Sequence, residues 1–401
     1  MRNPEEHSAL AAPDDMFLAR HYARVRRPVA DAHMPPAWCY GDQAFHAREL
    51  ERIFGKAWCL VGHVDRVPAP GDYVTIEYAG QPLIVVRGRD AIVRAFANSC
   101  RHRGSRVAEG NGACRAFKCP YHGWVYGLDG ALEGAPDMEE TRGFEKRNHG
   151  LVPVRLETWG GLMFLCFDPE AAPLAHWLGD LVATLAPYRL ERLALTRERT
   201  YGVACNWKVY VENFMDYYHT PTVHQGSLAS GSLNVYHRAP PRPEPGTGAY
   251  MAMYLAHEGS AALLPGTAGI GPMPWLGGGE ARAMREAHGS TYACIFPCAL
   301  LGSTIDCVWY VMINPKAVDR IELTVGSCFP REEVERPGFA ERALPYYQRW
   351  DVSVDEDNRV NELQQRGLAS PLAAPGRLSV LESMSHIFRN WVLDRVIGEA
   401  R

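Results

Sequence analysis

Residues 100–122 read Cys100-Arg-His102-Arg-Gly-Ser-Arg-Val-Ala-Glu-Gly-Asn-Gly-Ala-Cys114-Arg-Ala-Phe-Lys-Cys119-Pro-Tyr-His122. The stretch presents C-x-H, sixteen intervening residues, then C-x2-H. Thiolates and imidazoles suit iron or zinc, and their order narrows the choice. A zinc finger presents a Cys pair and then a His pair, whereas each half here supplies one of each. That order suits a [2Fe–2S] cluster with two Cys on one iron and two His on the other, whose potential lies above that of an all-Cys cluster. Gly104 and Gly123 stand where each loop must turn tightly. Pro120 removes a backbone donor from the second loop and stiffens it. A zinc site, or four unrelated buried side chains, is the alternative reading.

The runs CRHRGS (100–105) and CPYHGWVYGLDGAL (119–132) resemble the Rieske domain of Rieske non-haem iron oxygenases. Respiratory Rieske proteins carry an extra Cys in each loop, and the two form a disulfide. This chain has Ser105 and Tyr121 at those places, which points to the oxygenase kind, with a lower potential. The resemblance implies that Cys100, His102, Cys119 and His122 hold the Rieske cluster.

The flanking sequence predicts a β domain to carry these loops. Residues 73–78, 83–87 and 92–96 are short β-branched or aromatic runs separated by Gly, Pro and Asp. Residues 152–159 and 161–167 read as further strands. Upstream, residues 1–38 read as an arm, with mixed helical character and four Arg over residues 15–29, and residues 45–58 as a helix.

Downstream, residues 178–188 read as a helix, 197–205 as a strand and 206–219 as a helix capped by Asn206. Residues 239–248 and 264–279 are rich in Pro and Gly and read as loops. Strands are expected at 292–296, 303–313 and 320–329, and helices at 332–365 and 380–396. The charge run at 331–336 reads as a solvated helix start.

The run NWKVYVENFMDYYHTPTVH (206–224) carries the second constellation. Asp216 and His219, three apart, are expected on one helix face, with Pro221 ending the helix and His224 swinging back toward His219. Two His and a distant carboxylate complete a facial triad for non-haem Fe(II), with open positions. Alone, the two His read as ordinary polar residues. The run also resembles the mononuclear-iron motif of the same oxygenase family. That resemblance makes His219 and His224 iron ligands. It makes Asp216 the bridging acid, between a Rieske His of a neighbouring subunit and an iron His. In VDEDNRVNELQQ (354–365) it selects Asp357 as third ligand, with Asp355 and Glu356 as adjacent rivals. Composition alone reads this segment as an exposed acidic helix face.

The resemblance runs from about residue 38 to residue 391 and includes RGLAS and PGRLS near the C-terminus. It implies an α+β chain: an arm (1–38), a small antiparallel β Rieske domain (39–160), and a helix-grip, START-like catalytic domain (161–401) with a curved antiparallel sheet and long helices. It further implies a head-to-tail homotrimer and a terminal oxygenase that uses O2 as co-substrate.

The chain has 401 residues, 47% of them hydrophobic, and a net charge of −4 at pH 7. Such a balance gives no nucleic-acid surface and no polybasic membrane anchor. Eleven Cys, most among apolar neighbours, read as reduced thiols of a cytoplasmic protein. Cys294 and Cys298 read as two buried Cys at a strand end rather than a metal pair. No signal-like N-terminus and no run of 18 apolar residues occurs. No G-x-G-x-x-G fingerprint occurs either, so no NAD or flavin is expected in this chain. Electrons are expected from a separate NAD(P)H-dependent reductase, with or without a ferredoxin. A lone Rieske electron carrier needs only about a hundred residues, which leaves His219 and His224 unexplained; a binding module without catalysis is the other rival. The substrate is read as a small organic molecule, aromatic by preference because Asp216 stands where relatives acting on quaternary ammonium groups often carry Glu. A quaternary ammonium or other N/O-alkyl substrate is the alternative. Met215, Tyr254, Trp275, Phe296 and Trp309 are the candidate pocket residues.

Overall fold

The computed structural model describes residues 12–225, 227, 246–256, 260–270 and 289–397. The chain divides into two compact units, residues 55–174 and residues up to 54 together with those from 175 onward. The sequence reading put the divisions at 38/39 and 160/161. The segment before residue 55 instead belongs to the larger unit, where Tyr22 is fully buried and Arg26 pairs with Asp394 at 2.6 Å.

The smaller unit is all β. Its strands are β1 (Cys59–His63), β2 (Asp72–Tyr78), β3 (Gln81–Arg87), β4 (Val93–Ala97), β5 (Asn111–Ala113), β6 (Phe117–Lys118), β7 (Val125–Tyr126), β8 (Leu132–Gly134), β9 (Pro153–Trp159) and β10 (Leu162–Cys166). Seven form one antiparallel sheet in the order β1-β10-β9-β4-β3-β2-β5, and β6-β7-β8 form a second. β2 and β3 meet through Ala79 and Gly80, both at positive φ, as a two-residue hairpin requires. The core between the sheets joins Ile84, Val86 and Phe96 to Phe117, Trp124 and Tyr126.

The larger unit carries one six-stranded antiparallel sheet. Its strands are β11 (Leu193–Val203), β12 (Tyr250–Ala256), β13 (Gly289–Ile295), β14 (Ala299–Ser303), β15 (Val308–Ala317) and β16 (Arg320–Pro330), in the order β11-β16-β15-β14-β13-β12. The helices that matter for the site are α1 (Gln43–Glu49), α2 (Trp207–Phe214), α3 (Thr220–Val223), α4 (Phe339–Leu368) and α5 (Ser383–Val396). α2 packs on α4 and α5 and is buried on every side. It keeps two buried ion pairs, Lys208–Glu49 at 2.5 Å and Glu212–Arg389 at 2.7 Å. The long helix α4 packs Trp350, tilted, against Trp309 of β15, ring centroids 3.8 Å apart. The expected α+β class with a curled antiparallel sheet is what the chain adopts.

Several expected elements differ in extent. The helix predicted over 206–219 ends at Phe214, and Pro221 opens α3 instead of closing α2. This is consistent with the tolerance of Pro in a first helical turn. Asp216 and His219 therefore lie in the intervening turn and do not share a helix face. The strand predicted over 303–313 is two strands around a turn in which Thr304 N–H donates to Cys307 O at 2.9 Å. The helix predicted over 332–365 is interrupted at Gly338, φ 72°. In the charge run before it, Glu333 is buried and pairs with Arg336 at 2.6 Å, so that start is only partly solvated. Residues 45–58 give α1 followed by a π-helical turn (Leu50–Phe54), and the segment 15–29 has only short 3₁₀ turns. The expected loops at 239–248 and 264–279 fall largely outside the described residues. Among the described residues no helix is long and apolar enough to cross a membrane.

Candidate metal centres

The two Cys–His loops of the smaller unit are built alike. Cys100 N–H donates to Ser105 O and Gly104 N–H to Cys100 O; Cys119 N–H donates to Trp124 O and Gly123 N–H to Cys119 O. The four bonds span 2.7–3.1 Å. Gly104 (φ 78°) and Gly123 (φ 71°) occupy the left-handed region that closes each loop. The first loop joins β4 to β5 and the second closes the β6–β7 hairpin. Asn98 anchors the base of the first, its side chain bonding Val107 N and Ala108 O.

Burial sorts the four side chains. Cys100 and Cys119 are buried in the core, and His102 and His122 are exposed at the tip. The two imidazoles meet edge to face at 4.6 Å between centroids, and His102 lies flat on Trp124. Tyr126 Oη sits 3.1 Å from Cys100 Sγ and accepts from Arg101 N–H. Two buried thiols below two exposed imidazoles fit a cluster with an inner Cys iron and an outer His iron.

The second centre is in the larger unit. Asn206 caps α2 as expected, its side chain accepting from Lys208 N–H at 3.0 Å. Two residues of α4 tie down the start of the same helix: Glu362 accepts from Ala204 N–H and Gln365 from Asn206 N–H. Beyond α2 the turn brings His219 and His224 together, Nε2 to Nε2 3.2 Å. Asp357 Oδ1 of α4 lies 3.6 Å from His219 Nε2 and 3.2 Å from His224 Nε2. Donors about 2.1 Å from one metal and at right angles stand about 3.0 Å apart, so this triangle fits a facial triad. The chemistry of the donors agrees. Asp357 Oδ1 is buried, lacks a well-formed hydrogen bond, and is aimed at two imidazole nitrogens; one cation satisfies all three.

The neighbouring acids take different places. Asp355 is exposed. Glu356 turns to the outer nitrogen of His224, Nδ1 to Oε2 2.9 Å, and also accepts from Ser227 Oγ–H at 2.6 Å. Asp216 lies 3.4 Å from His219 Nδ1 and accepts from Tyr218 N–H at 2.6 Å. His224 thus has a carboxylate hydrogen-bonded behind it, an arrangement that fixes the ring and raises its basicity, while Asp216 stands near His219 Nδ1 without a well-formed hydrogen bond to it. Burial opposes protonation of His224, yet Asp357 and Glu356 together hold its pKa above the ordinary imidazole value. Sequence reasoning had Glu356 only as a rival ligand; its place depends on which side of α4 faces α3.

An open pocket adjoins the triad. Tyr210, Phe214, Tyr217, Tyr292 and Trp309 supply its aromatic lining, and Arg349 and Ser353 of α4 its other polar wall. Phe214, Tyr217, Tyr292 and Trp309 contact one another edge to face. Of the residues proposed from sequence, Trp309 lines the pocket. Met215 is fully buried, Tyr254 is half exposed, and Phe296 packs on Trp391; Trp275 lies outside the described residues. Cys294 and Cys298 are buried thiols, Cys298 Sγ donating to Ile313 O.

Comparison with known proteins agrees with both centres. The model of the Rieske [2Fe-2S] domain matches residues 57–146, and that of the ring hydroxylating alpha subunit (catalytic domain) matches residues 190–398. Choline monooxygenase, chloroplastic, of Beta vulgaris is 28% identical over 91% of this chain and 77% of its own length. The carnitine monooxygenase oxygenase subunit of Escherichia coli (strain K12) is 37% identical over 50% of this chain. The chain spans about half the length of that protein, 54%. Two solved structures share the fold. A quaternary ammonium Rieske monooxygenase gives TM-score 0.77 at 23% identity, covering 93% of this chain and 98% of that one. Naphthalene 1,2-dioxygenase from Rhodococcus sp. gives 0.78 at 21%, covering 98% and 100%. In this family the first domain binds a [2Fe-2S] cluster and the second a mononuclear iron, with O2 as co-substrate. With two family domains on one chain, each carrying a candidate donor set, the chain belongs to the ring hydroxylating alpha subunits, the catalytic subunits of Rieske oxygenases.

Proposed function

We propose that this chain is the terminal oxygenase of a multicomponent system that oxidises a quaternary ammonium substrate. His219, His224 and Asp357 would hold the mononuclear iron, and Cys100, His102, Cys119 and His122 the cluster. The observation that carries the reading is the aromatic wall beside the triad: Phe214, Tyr217, Tyr292 and Trp309 in mutual contact. Aromatic faces attract a permanent cation that cannot hydrogen-bond. The names of the relatives support the same choice, since one acts on choline and another on carnitine. This moves the weight from the aromatic-ring substrate to the alternative. Asp216 is the residue that favours the aromatic ring.

When bound, the two centres supply single-electron transfer and activation of O2. The protein's own groups do the rest. The aromatic wall holds the cationic head so that a carbon on nitrogen faces the triad. Glu356 keeps the outer nitrogen of His224 protonated and the inner one free for metal. Monooxygenation consumes O2, two electrons and two protons, and leaves a hydroxyl on that carbon plus water. The electrons would come from NAD(P)H through a separate reductase, with or without a ferredoxin. The assembly proposed is a head-to-tail homotrimer, since a heterologous interface that closes makes a ring. Asp216 would then join one subunit's cluster to the next subunit's iron; inter-subunit electron transfer is named for one structural relative.

Oxygen uptake and product formation over a panel of quaternary ammonium and aromatic compounds, driven by a surrogate reductase, test this reading. Product from a quaternary ammonium compound is expected. Product from neutral aromatics alone would overturn it.

A further inference from the structure

We propose that Ser227 is a positioning residue for the mononuclear centre: its hydroxyl fixes the Glu356 carboxylate on the outer nitrogen of His224 and thereby sets which nitrogen of that ring is left for metal. The proposal rests on the reading of His224 and Asp357 as ligands and deepens it.

Ser227 is fully buried and stands three residues beyond His224. Its Oγ lies 2.6 Å from Glu356 Oε2 and 3.4 Å from His224 Nδ1. Glu356 Oε2 in turn lies 2.9 Å from that nitrogen. The three atoms close a triangle, and counting protons leaves it one arrangement. An ionised carboxylate only accepts, and a serine hydroxyl has a single proton to give. The 2.6 Å contact takes that proton, since its length is that of a hydroxyl donating to a charged oxygen. None is left on Oγ for Nδ1, so Nδ1 carries the hydrogen that it shares with Glu356. In a neutral imidazole the other nitrogen is then the acceptor. That nitrogen, Nε2, faces Asp357 Oδ1 and His219 Nε2, each at 3.2 Å.

Consecutive residues of α4 thus meet the two nitrogens of one ring, Glu356 the outer and Asp357 the inner. Neighbouring side chains on a helix diverge by about 100°. The pair brackets the ring only if Glu356 is held toward it. Glu356 is partly exposed, so a rotamer that hydrates its carboxylate competes with the bracketing one. The buried Ser227 hydroxyl weighs against that rotamer by giving the carboxylate a second donor on the protein side. The same bond ties the segment beyond α3 to α4. Ser227 touches the metal ligand only through this triangle, and its effect on the centre passes through Glu356.

The test is mononuclear iron retained by the full chain against graded chelator, for Ser227→Ala in the wild-type and in the Glu356→Ala background. Ser227→Ala alone should weaken retention about three- to tenfold, at or below the low end of the range for a group bonded directly to a ligand His. Ser227→Thr, which keeps the hydroxyl, should recover most of that loss. In the Glu356→Ala background the same Ser227→Ala change should cost less than about twofold, because residues that act as one unit are not additive. A merely structural role would instead give the same fold-loss in both backgrounds. The visible spectrum of the cluster and the melting curve report on folding. Ser227→Thr and Ser227→Val, alike in shape and differing in the hydroxyl, repeat the comparison if the Ala variant fails to fold. Wild-type retention in Ser227→Ala, or an equal loss in both backgrounds, overturns the proposal and leaves the ligand assignment standing. A His224→Ala variant that keeps its full mononuclear iron overturns both.

Discussion

Glu356 offers a sharp test because it stands beside the proposed ligand Asp357 and is assigned different work. Its carboxylate lies 2.9 Å from His224 Nδ1 and 2.6 Å from Ser227 Oγ, and its side chain is 23% exposed. In Glu356→Gln the amide oxygen still accepts from Nδ1–H, but the bond is neutral and roughly half as strong. Hydrogen bonds to charged groups contribute about 1.5–3 kcal/mol, so about 1 kcal/mol or slightly more is lost. That corresponds to roughly five- to tenfold weaker iron retention. Glu356→Ala removes the bond altogether and should weaken retention by up to about 100-fold, the usual range for a carboxylate behind a metal-bound His. Asp357→Ala removes a donor and should leave no mononuclear iron. The assay is iron retained against graded chelator, with the visible spectrum of the cluster as an internal standard in the same sample. Loss of all mononuclear iron in Glu356→Ala, with normal retention in Asp357→Ala, would show that the ligand register on α4 is one residue off. Wild-type retention in Glu356→Ala would show that the contact to His224 contributes nothing.

Asp216→Asn should keep both centres and the oligomeric state while nearly stopping single-turnover reoxidation of the reduced cluster by O2 and substrate. Reoxidation and product yield at the wild-type level would refute the bridging role, and a catalytically competent monomer would refute the inter-subunit route. Gly302→Ala places a Cβ 2.1 Å from the Trp309 indole. It should displace that ring from the pocket wall, cost about 1–3 kcal/mol of stability, and raise KM more than it lowers kcat; unchanged KM would remove Trp309 from the binding surface. Lys208→Met leaves Glu49 as a buried charge without its 2.5 Å partner, so thermal melting of the larger unit should report a loss of about 3–5 kcal/mol, and an unchanged melt would contradict the buried pair.

What the sequence reveals and conceals follows from how local each determinant is. The cluster loops are legible because the proposed ligands, tight-turn glycines and flanking strands all lie within residues 100–126, and the two loops repeat one hydrogen-bond scheme. The cap at Asn206 is legible for the same reason. The length of α2 is not, because residues 215–219 carry no Gly or Pro to mark the break, and the Pro that follows opens the next helix. The proposed third ligand, Asp357, is harder still. Arg349, Ser353, Asp357, Asn361 and Gln365 form a polar row at every fourth position of α4, and most of that row is buried. Amphipathic reasoning assigns polar faces to solvent. Here the polar face lines the pocket and ties down the start of α2, so composition points the wrong way. β12 (Tyr250–Ala256) escaped notice because its sequence, YMAMYLA, lacks the β-branched residues that mark strands; pairing with β13 makes it one. The turn at 304–307 has no turn-forming Gly or Pro. It is held instead by buried Asp306, which accepts from Ser260, Thr304 and Tyr346.

The most direct measurement is metal and acid-labile sulfide content of the protein and its His219→Ala variant, prepared anaerobically in an iron-replete host. The wild type should be red-brown, with the two irons and two sulfides of the [2Fe-2S] cluster and one further iron per chain. The variant should lose that further iron and all product formation while its cluster spectrum and sulfide stay unchanged. A colourless protein containing only zinc, or a His219→Ala variant that keeps its full iron and its turnover, would contradict the account.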